Sequence, residues 1–490
     1  MHNSQGLEKV LSLRQEILAG DEKRLKEQRD AGKLTARERI AKIADAGSFV
    51  ELFALVSRND EGAGVVTGYA TIEERPVYLF AQDFTVRGGA MGQLQAAKIV
   101  KLLELAQKTG APVLALMDSA GVRIDEGAQA LSAYSEIYQK MARMSGVCPM
   151  VALVLGPCIG GAALLSQLAD VSIVAEKVGQ LMVFGPQVMA AMNGAQVDAE
   201  KFGGAKVAAE MGACALTAAS EDEALLKARQ VLALLPSSNL EDTEFVDTDD
   251  MNRLLPAIDP ADADVLLNAV ADQGTLVELY AAYEPSIKVA LARLGGSSVG
   301  LVAANGKLTA GALQKAARFV RFMDCYGIPV VSLLNTSGVE VNGVKEQGWL
   351  FKAQSQLLYA YAEATVPKVA VVTGDAIGQA YVAMGGKAMA DVTYAWPSAV
   401  ISALTPEAAV AVLYQDEVKA DKELSVEEAR AKYASEYVEN VAGCLNAAKQ
   451  GMVDDVIEPA QTRAMLISAL EMLMSKRDSN PPKKHGNLPM

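Results

Sequence analysis

Residues 110–122, "GAPVLALMDSAGV", open on a glycine and a proline, run through an apolar stretch and close on a serine-containing turn that ends in Gly-Val. Alone, the segment reads as a short buried strand feeding a glycine turn. It does not stand alone. "GIPVVSLLNTSGV" (327–339) repeats its plan at an offset of 217 residues. Downstream of each copy lies a second glycine turn, "GPCIGGA" (156–162) and "GDAIGQA" (374–380), at an offset of 218. An Ala-Asp-Val triplet follows in both, at 169–171 and 390–392. Several motifs kept in order at a nearly constant offset mark an internal duplication.

Each copy reads as strand, glycine turn, helix, strand, glycine turn, helix. In the first, "VYLFAQDF" is a strand, "AAKIVKLLELAQKTG" a helix capped by Gly110, and a further helix starts near Ala128. In the second, "SSVGLVAAN", "ALQKAARFVRFMDCYG" and "IPVVSLLN" take the same places. The alternation predicts an α/β fold with largely parallel strands, as two domains over 1–240 and 255–490. The polar, acidic and proline-containing stretch 234–264 reads as the linker between them. The N-terminal stretch "GLEKVLSLRQEILAGDEKRLKEQRDAGKLTARERIAKI" reads as a helical arm whose charges form a solvated face, and the C-terminal tail "SKRDSNPPKKHGNLPM" as a loop.

A chain of 490 residues exceeds one ordinary core. Half of it is apolar and 21% is charged, a globular balance. The 45 basic and 59 acidic side chains give a net charge of −14, no footprint for nucleic acid or an anionic membrane. Residues 144–169 carry no charge and could be taken for a membrane span, but six glycines and prolines within them favour a buried strand and turn. The N-terminus lacks the apolar core of a signal peptide, and the expectation is a cytoplasmic protein. Cys148, Cys158, Cys214, Cys325 and Cys444 show no disulfide or metal spacing and are expected to be reduced and mostly buried.

The histidine count narrows the chemistry. His2 and His485, both close to a chain end, are the only two, which argues against a Ser-His or Cys-His hydrolase and a histidine-bound metal. No Walker A or Rossmann glycine motif is present. What each copy offers is backbone N–H groups at a helix N-terminus, where the dipole favours negative charge. Two such donors converging on one point make an oxyanion hole, and glycine lets a carbonyl approach the main chain. The alternative is an ordinary tight turn.

These residues resemble a family. "GKLTARERI" (32–40), "GVVTGYATIEERPVYLFAQDFTVRGGAMG" (64–92), "SAGVRIDEG" (119–127), "GPCIGGA", "KAARFVRFMD" (315–324), "LLYAYAEATVPK" (357–368), "AYVAMGGKAMADVTYAWPSAVI" (380–401) and "PPKKHGNLPM" are similar, in order, to the carboxyltransferase (β) subunits of biotin-dependent propionyl-CoA and acetyl-CoA carboxylases. They also resemble the α subunits of biotin-dependent acyl-CoA decarboxylases. The resemblance implies two tandem domains of the ClpP/crotonase superfamily and a homo-oligomer, a hexamer built of dimers. It implies an acyl-CoA against the N-terminal domain, at Ser119, Ala120 and Gly121, with Val382 gauging the acyl chain. Amides matching Gly160 and Gly161 would hold the thioester enolate. Those of Gln379 and Ala380, flanked by Gly378 and Tyr381, would hold the ureido oxygen of biotin. Biotin would come on a biotin carboxyl carrier protein served by a biotin carboxylase subunit, or with a membrane decarboxylase subunit. No metal is implied.

Biotin must arrive on another chain or domain, because "GGKAMAD" (385–391) has its lysine in the wrong order for an attachment signature, making Lys387 a surface residue. The family pattern is broken at Gln379, where glycine is usual, and at "NTSG" (335–338), where Asp-Val-Pro-Gly is common. A positive φ demanded of Gln379 would cost roughly 1 to 2 kcal/mol. That departure motivates a second reading, a non-catalytic paralogue. A third, a crotonase-type hydratase or isomerase, needs a carboxylate pair, for which Asp125 and Glu126 are the nearest candidates; they read more simply as charges at a helix N-terminus.

Overall fold

The computed structural model describes residues 2–487 except 59, 60, 195, 248 and 342. It divides into two compact units, Met1–Asp242 and Thr243–Met490. Both are built on one plan. The first carries an eight-stranded sheet of β1 (Val50–Leu52), β2 (Val65–Ile72), β3 (Arg75–Gln82), β4 (Val113–Ser119), β5 (Met150–Ile159), β6 (Val171–Ala175), β7 (Gln180–Met182) and β8 (Leu216–Ala218). Strands β1 to β3 pair antiparallel; from β3 onward the sheet is parallel in the order β3-β4-β5-β6-β8, with β7 beside the end of β5.

In the second unit the strands are β9 (Val277–Leu279), β10 (Ile287–Leu294), β11 (Ser297–Leu308), β12 (Val330–Val339), β13 (Lys368–Ile377), β14 (Val392–Ala395), β15 (Val400–Ser402) and β16 (Asp455–Val456). Their order and directions repeat the first sheet strand for strand. Even an irregularity is repeated: β4 slips register against β5 between Met117 and Ser119, and β12 against β13 between Leu334 and Thr336. The bulged residues, Asp118 and Asn335, lie 217 apart. Each presses its side chain against a glycine of the next strand, Gly156 or Gly374, where any Cβ would collide with it.

The uncharged stretch 144–169 is the central strand β5 and its turn. Met150, Ala152 and Val154 join a core with Ile99 and Leu103 of one helix and Ile137 and Met141 of another; Val151, Leu153 and Leu155 are buried as well. A strand buried on both faces reads as an apolar run, as a membrane span does. Among the described residues no helix is long and apolar enough to cross a membrane.

The helices used below are α1 (His2–Ala19), α2 (Glu22–Asp30), α3 (Ala36–Ile43), α4 (Gln93–Thr109), α5 (Ala128–Met144), α6 (Gly161–Leu168), α7 (Glu221–Leu234), α8 (Ala310–Cys325), α9 (Val344–Glu363) and α10 (Gln379–Met384). Two expectations are corrected here. The charged arm is not a solvated face throughout: residues 6–19 of α1 are exposed apart from half-buried Ile17, but Gln28, Lys33 and Arg39 are buried. Nor is 234–264 a loose tether. Its first residues, to Asp242, belong to the first unit; beyond them Val246 donates to the Gly296 carbonyl, buried Leu255 donates to Ala460, and Asp249 pairs with Arg463, so that part is packed into the second unit.

The duplication also places a buried lysine in each unit. Lys98 of α4 donates to the Val65 carbonyl at 2.7 Å, and Lys315 of α8, 217 residues on, donates to the Glu284 carbonyl at 2.9 Å. Burial pulls each down to about 8 from an unfolded value of 10.5. The folded chain thus binds fewer protons than the unfolded one between these values, and stability rises with pH across that window. Denaturation midpoints at pH 7.5, 9 and 10.5 should show this rise in the wild type and a smaller one in Lys98→Met or Lys315→Met; parallel profiles would exclude it.

Candidate active site

Strand β5 runs out at Ile159, and the chain turns into α6 through Gly160, at φ 61° and ψ −121°. Strand β13 runs into α10 through Gly378, at φ 68° and ψ −144°. An L side chain rarely adopts such angles, so glycine is required at both. The amide of each turn glycine is already used: Gly160 donates to the Met182 carbonyl at 2.8 Å and Gly378 to that of Ser402 at 2.9 Å. These bonds tie each turn to the short strand, β7 or β15, that pairs with the end of β5 or β13. Of the two amides expected from the sequence at this turn, that of Gly160 is thus engaged within the fold.

The next two amides are different. Gly161 and Ala162 in the first unit, Gln379 and Ala380 in the second, open a helix, where N–H groups have no intrahelical acceptor. Among the described residues no backbone carbonyl accepts them. They match one another at an offset of 218, so the pairs expected from the sequence were one residue out of register. Gln379 is exposed and does not have a positive φ, which falls on Gly378 instead. The strain that argued for a non-catalytic paralogue is absent.

A cleft of about 1130 Å³ opens at the first turn, between α5 and α6. Val122, Leu131, Tyr134, Tyr138, Gly161 and Val183 are among its walls. Not one Asp, Glu, Lys, Arg or His lines it. Tyr138 donates to the Gly161 carbonyl at 3.0 Å and stacks on Tyr134 with ring centroids 5.5 Å apart. Burial pushes the Tyr134 hydroxyl far above its ordinary value and the Cys158 thiol likewise, so neither ionises near neutrality. Cys148, Cys214 and Cys444 are buried too, while Cys325 is exposed.

The Ser119–Gly121 turn stands beside this cleft rather than in its wall. Ala120 donates to the Gly88 carbonyl at 2.8 Å, and Gly121 donates to Ser119 Oγ at 3.2 Å. Their amides shape the turn that presents Val122. Asp125 pairs with Arg87 at 2.8 Å, and Glu126 accepts the Gln93 amide at 2.7 Å, capping α4. Neither carboxylate is in the wall of the cleft, so the hydratase or isomerase reading has no carboxylate pair there.

In the second unit Val382 sits on α10, 42% exposed. Tyr381 donates its hydroxyl to the Met452 carbonyl at 3.2 Å, and Lys387 reaches the Gly451 carbonyl at 3.0 Å. Asn335 accepts the Asp375 amide at 3.0 Å and bonds to Asn305, holding the bulge. The Asp375 carboxyl is raised by burial and by nearby Glu407.

Beneath the first turn lies a group of charges that sequence reasoning missed. Arg39 is fully buried and donates to Asp118 at 2.9 Å, to Glu221 at 2.7 and 3.0 Å, and to the Leu155 carbonyl at 2.7 Å. Lys33 reaches both oxygens of Asp118 at 3.0 Å, and Gln28 adds a bond at 3.0 Å. Two cations and two carboxylates thus close on the bulge preceding Ser119. Among the described residues no group of three His, Cys, Asp or Glu side chains could hold a metal ion.

Two α/β units of one plan have parallel strands that end in glycine turns, and the first turn stands at a cleft with no Asp, Glu, Lys, Arg or His in its wall. The chain belongs to the carboxyl transferase domain family, whose model matches residues 27–488, and is a carboxyltransferase. It is 40% identical over 498 residues to the methylmalonyl-CoA decarboxylase α subunit of Veillonella parvula, covering 96% of each chain. It is 38% identical over 512 residues to the carboxyltransferase subunit of the propionyl-CoA carboxylase of Haloferax mediterranei, covering 99% of each. Transcarboxylase 12S, a hexamer solved with methylmalonyl-coenzyme A and methylmalonic acid bound, superposes with a TM-score of 0.93 at 38% identity, over 99% of this chain and 98% of that one.

Proposed function

We propose that this chain moves a carboxyl group between biotin, borne on a separate carrier protein, and the α-carbon of a short-chain acyl-CoA such as acetyl-CoA or propionyl-CoA. The observation that carries the reading is the Gly161 amide, which no backbone carbonyl accepts, in the wall of an apolar cleft without an Asp, Glu, Lys, Arg or His. A thioester oxygen seated on it gains its stabilisation as negative charge develops, where preorganised donors act most strongly. The absence of a side-chain base then requires the proton acceptor to come with the second substrate. Biotin supplies the carboxyl group and, once that has left as CO2, a ureido nitrogen basic enough for the α-proton. The Gln379 and Ala380 amides, free and on a matching turn, fit its ureido oxygen. Val382, apolar and partly exposed beside them, suits a short apolar acyl group.

The same donors serve the reverse direction, and the similarity to the methylmalonyl-CoA decarboxylase α subunit favours that as the second reading. A biotin carboxylase partner would set one direction, a membrane decarboxylase subunit the other. Assembly as a dimer-based hexamer is supported by the described assembly of the transcarboxylase 12S relative. The test is the purified subunit given methylmalonyl-CoA or malonyl-CoA and free biotin, with carboxyl transfer followed by isotope label in both directions. Label is expected to exchange between biotin and a short acyl-CoA. None with acetyl-, propionyl- or butyryl-CoA would overturn the proposal.

A further inference from the structure

One wall of the cleft at the first turn is apolar in a way that the main-chain chemistry does not use. Leu164 of α6 stands three residues beyond Gly161 and is 49% exposed, although its neighbours Ala162 and Leu165 are buried. It lines the cleft together with Gly160, Gly161 and Val183. Residues three apart on a helix are neighbours on one face, about 5 to 6 Å apart at Cβ, and a leucine there leans toward the helix N-terminus. Leu164 therefore leans over the end of α6 that presents the Gly161 amide. Its own amide donates to the Gly160 carbonyl at 3.2 Å, which ties it to the turn.

Room beside the turn lies on one side. A Cβ on Gly161 would stand 2.7 Å from Tyr134 Cε1 and Cζ and from Tyr138 Oη, so the two rings close that side. A Cβ on Gly160 would meet nothing nearer than the Val183 carbonyl at 3.5 Å. The α-carbon of a thioester is two bonds from the carbonyl oxygen. With that oxygen on the Gly161 N–H, whatever the α-carbon bears extends away from the rings, into the space that Leu164 and Val183 border. The duplication repeats the placing: Val382 stands three residues beyond Gln379 and 218 after Leu164, is partly exposed, and donates its amide to the Gly378 carbonyl at 3.4 Å.

We propose that Leu164 limits the length of the acyl chain at the first turn, as a specificity-determining residue on the same helix as the Gly161 amide. The assignment rests on the carboxyltransfer reading above, which seats the thioester oxygen on that amide, and it adds a residue of the first unit to Val382 of the second. Its side chain bounds the space open to the α-substituent; alanine widens that space and phenylalanine narrows it. One methylene more or less in such an apolar site changes kcat/KM by about 10- to 200-fold.

The test is Leu164→Ala and Leu164→Phe in the whole chain, with kcat/KM for carboxyl transfer measured on acetyl-, propionyl-, butyryl- and hexanoyl-CoA. Leu164 is half exposed, so neither substitution removes core packing. The ratio of butyryl-CoA to propionyl-CoA is expected to rise roughly tenfold or more in Leu164→Ala and to fall by a similar factor in Leu164→Phe. A residue that only supported α6, or only met another copy of the chain, would move every acyl-CoA by one factor and leave the ratios alone. Ratios within about twofold of wild type in both variants, or shifted the same way in both, would overturn the assignment. A wild type that transfers a carboxyl group to none of the four would instead overturn the carboxyltransfer reading; binding of the same acyl-CoAs, followed by titration calorimetry, then judges Leu164 by the same ratios.

Discussion

Gly161→Ala is expected to lower kcat for carboxyl transfer by roughly a hundred- to a thousandfold, the range for loss of an oxyanion donor. The cause is steric rather than conformational. Gly161 does not have a positive φ, so alanine can adopt its backbone. Its Cβ cannot be housed, lying 2.7 Å from Tyr134 Cε1 and Cζ and 2.7 Å from Tyr138 Oη. These are not loose ends of flexible side chains: the rings stack on each other, and Tyr134 is in the core beside Ile137 and Met141. Either α5 gives way or α6 shifts, and each moves the Gly161 and Ala162 amides relative to the cleft. A displacement of about 1 Å from a near-attack geometry is enough to cost on the order of a hundredfold. Overpacking should also remove about 1 to 3 kcal/mol of stability. Steady-state kinetics and a denaturation curve check both, and a kcat within threefold of wild type would show that this amide is not the anion donor.

Arg39→Met should have the largest effect on stability. The wild-type group is balanced, Arg39 and Lys33 against Asp118 and Glu221, all four nine-tenths or more buried. Methionine fills much of the volume but leaves two carboxylates facing one ammonium, and the Leu155 carbonyl loses its donor. Removing one partner from a buried charge cluster costs about 3 to 5 kcal/mol. For a unit of this size that is a fall of about 6 to 20 °C in the midpoint of the first unit. Activity should fall with it at temperatures where the chain is still folded, because Asp118 is the bulged residue that leads directly into Ser119–Gly121 and bears on Gly156. A midpoint within 1 °C of wild type would mean that the cluster is not what holds the bulge.

The repeat, the central strands with the helices that follow them and the glycine turns were legible in the sequence, because each is written in residues close together in the chain; the short strands at the sheet edges and beside the turns were not. β5 was recognisable from "PMVALVLG" between Pro149 and Gly156, and Gly110 was recognisable as a helix cap. Which amides of the turn stay unengaged by a carbonyl was not legible. That Gly160 is consumed depends on Met182, on a strand 22 residues further on that folds back beside β5. The buried charges of the arm looked solvated because their partners are distant in the chain; Arg39 finds Asp118 79 residues away and Glu221 182 away.

What the sequence determined alone is therefore the duplicated α/β plan and the need for glycine where a strand turns into a helix, since periodicity and backbone sterics act over a few residues. Which amides stay free and which charges are buried together were decided by the tertiary structure. Hydrogen bonds and ion pairs form between whatever groups the fold brings within about 3 Å, however far apart they stand in the chain.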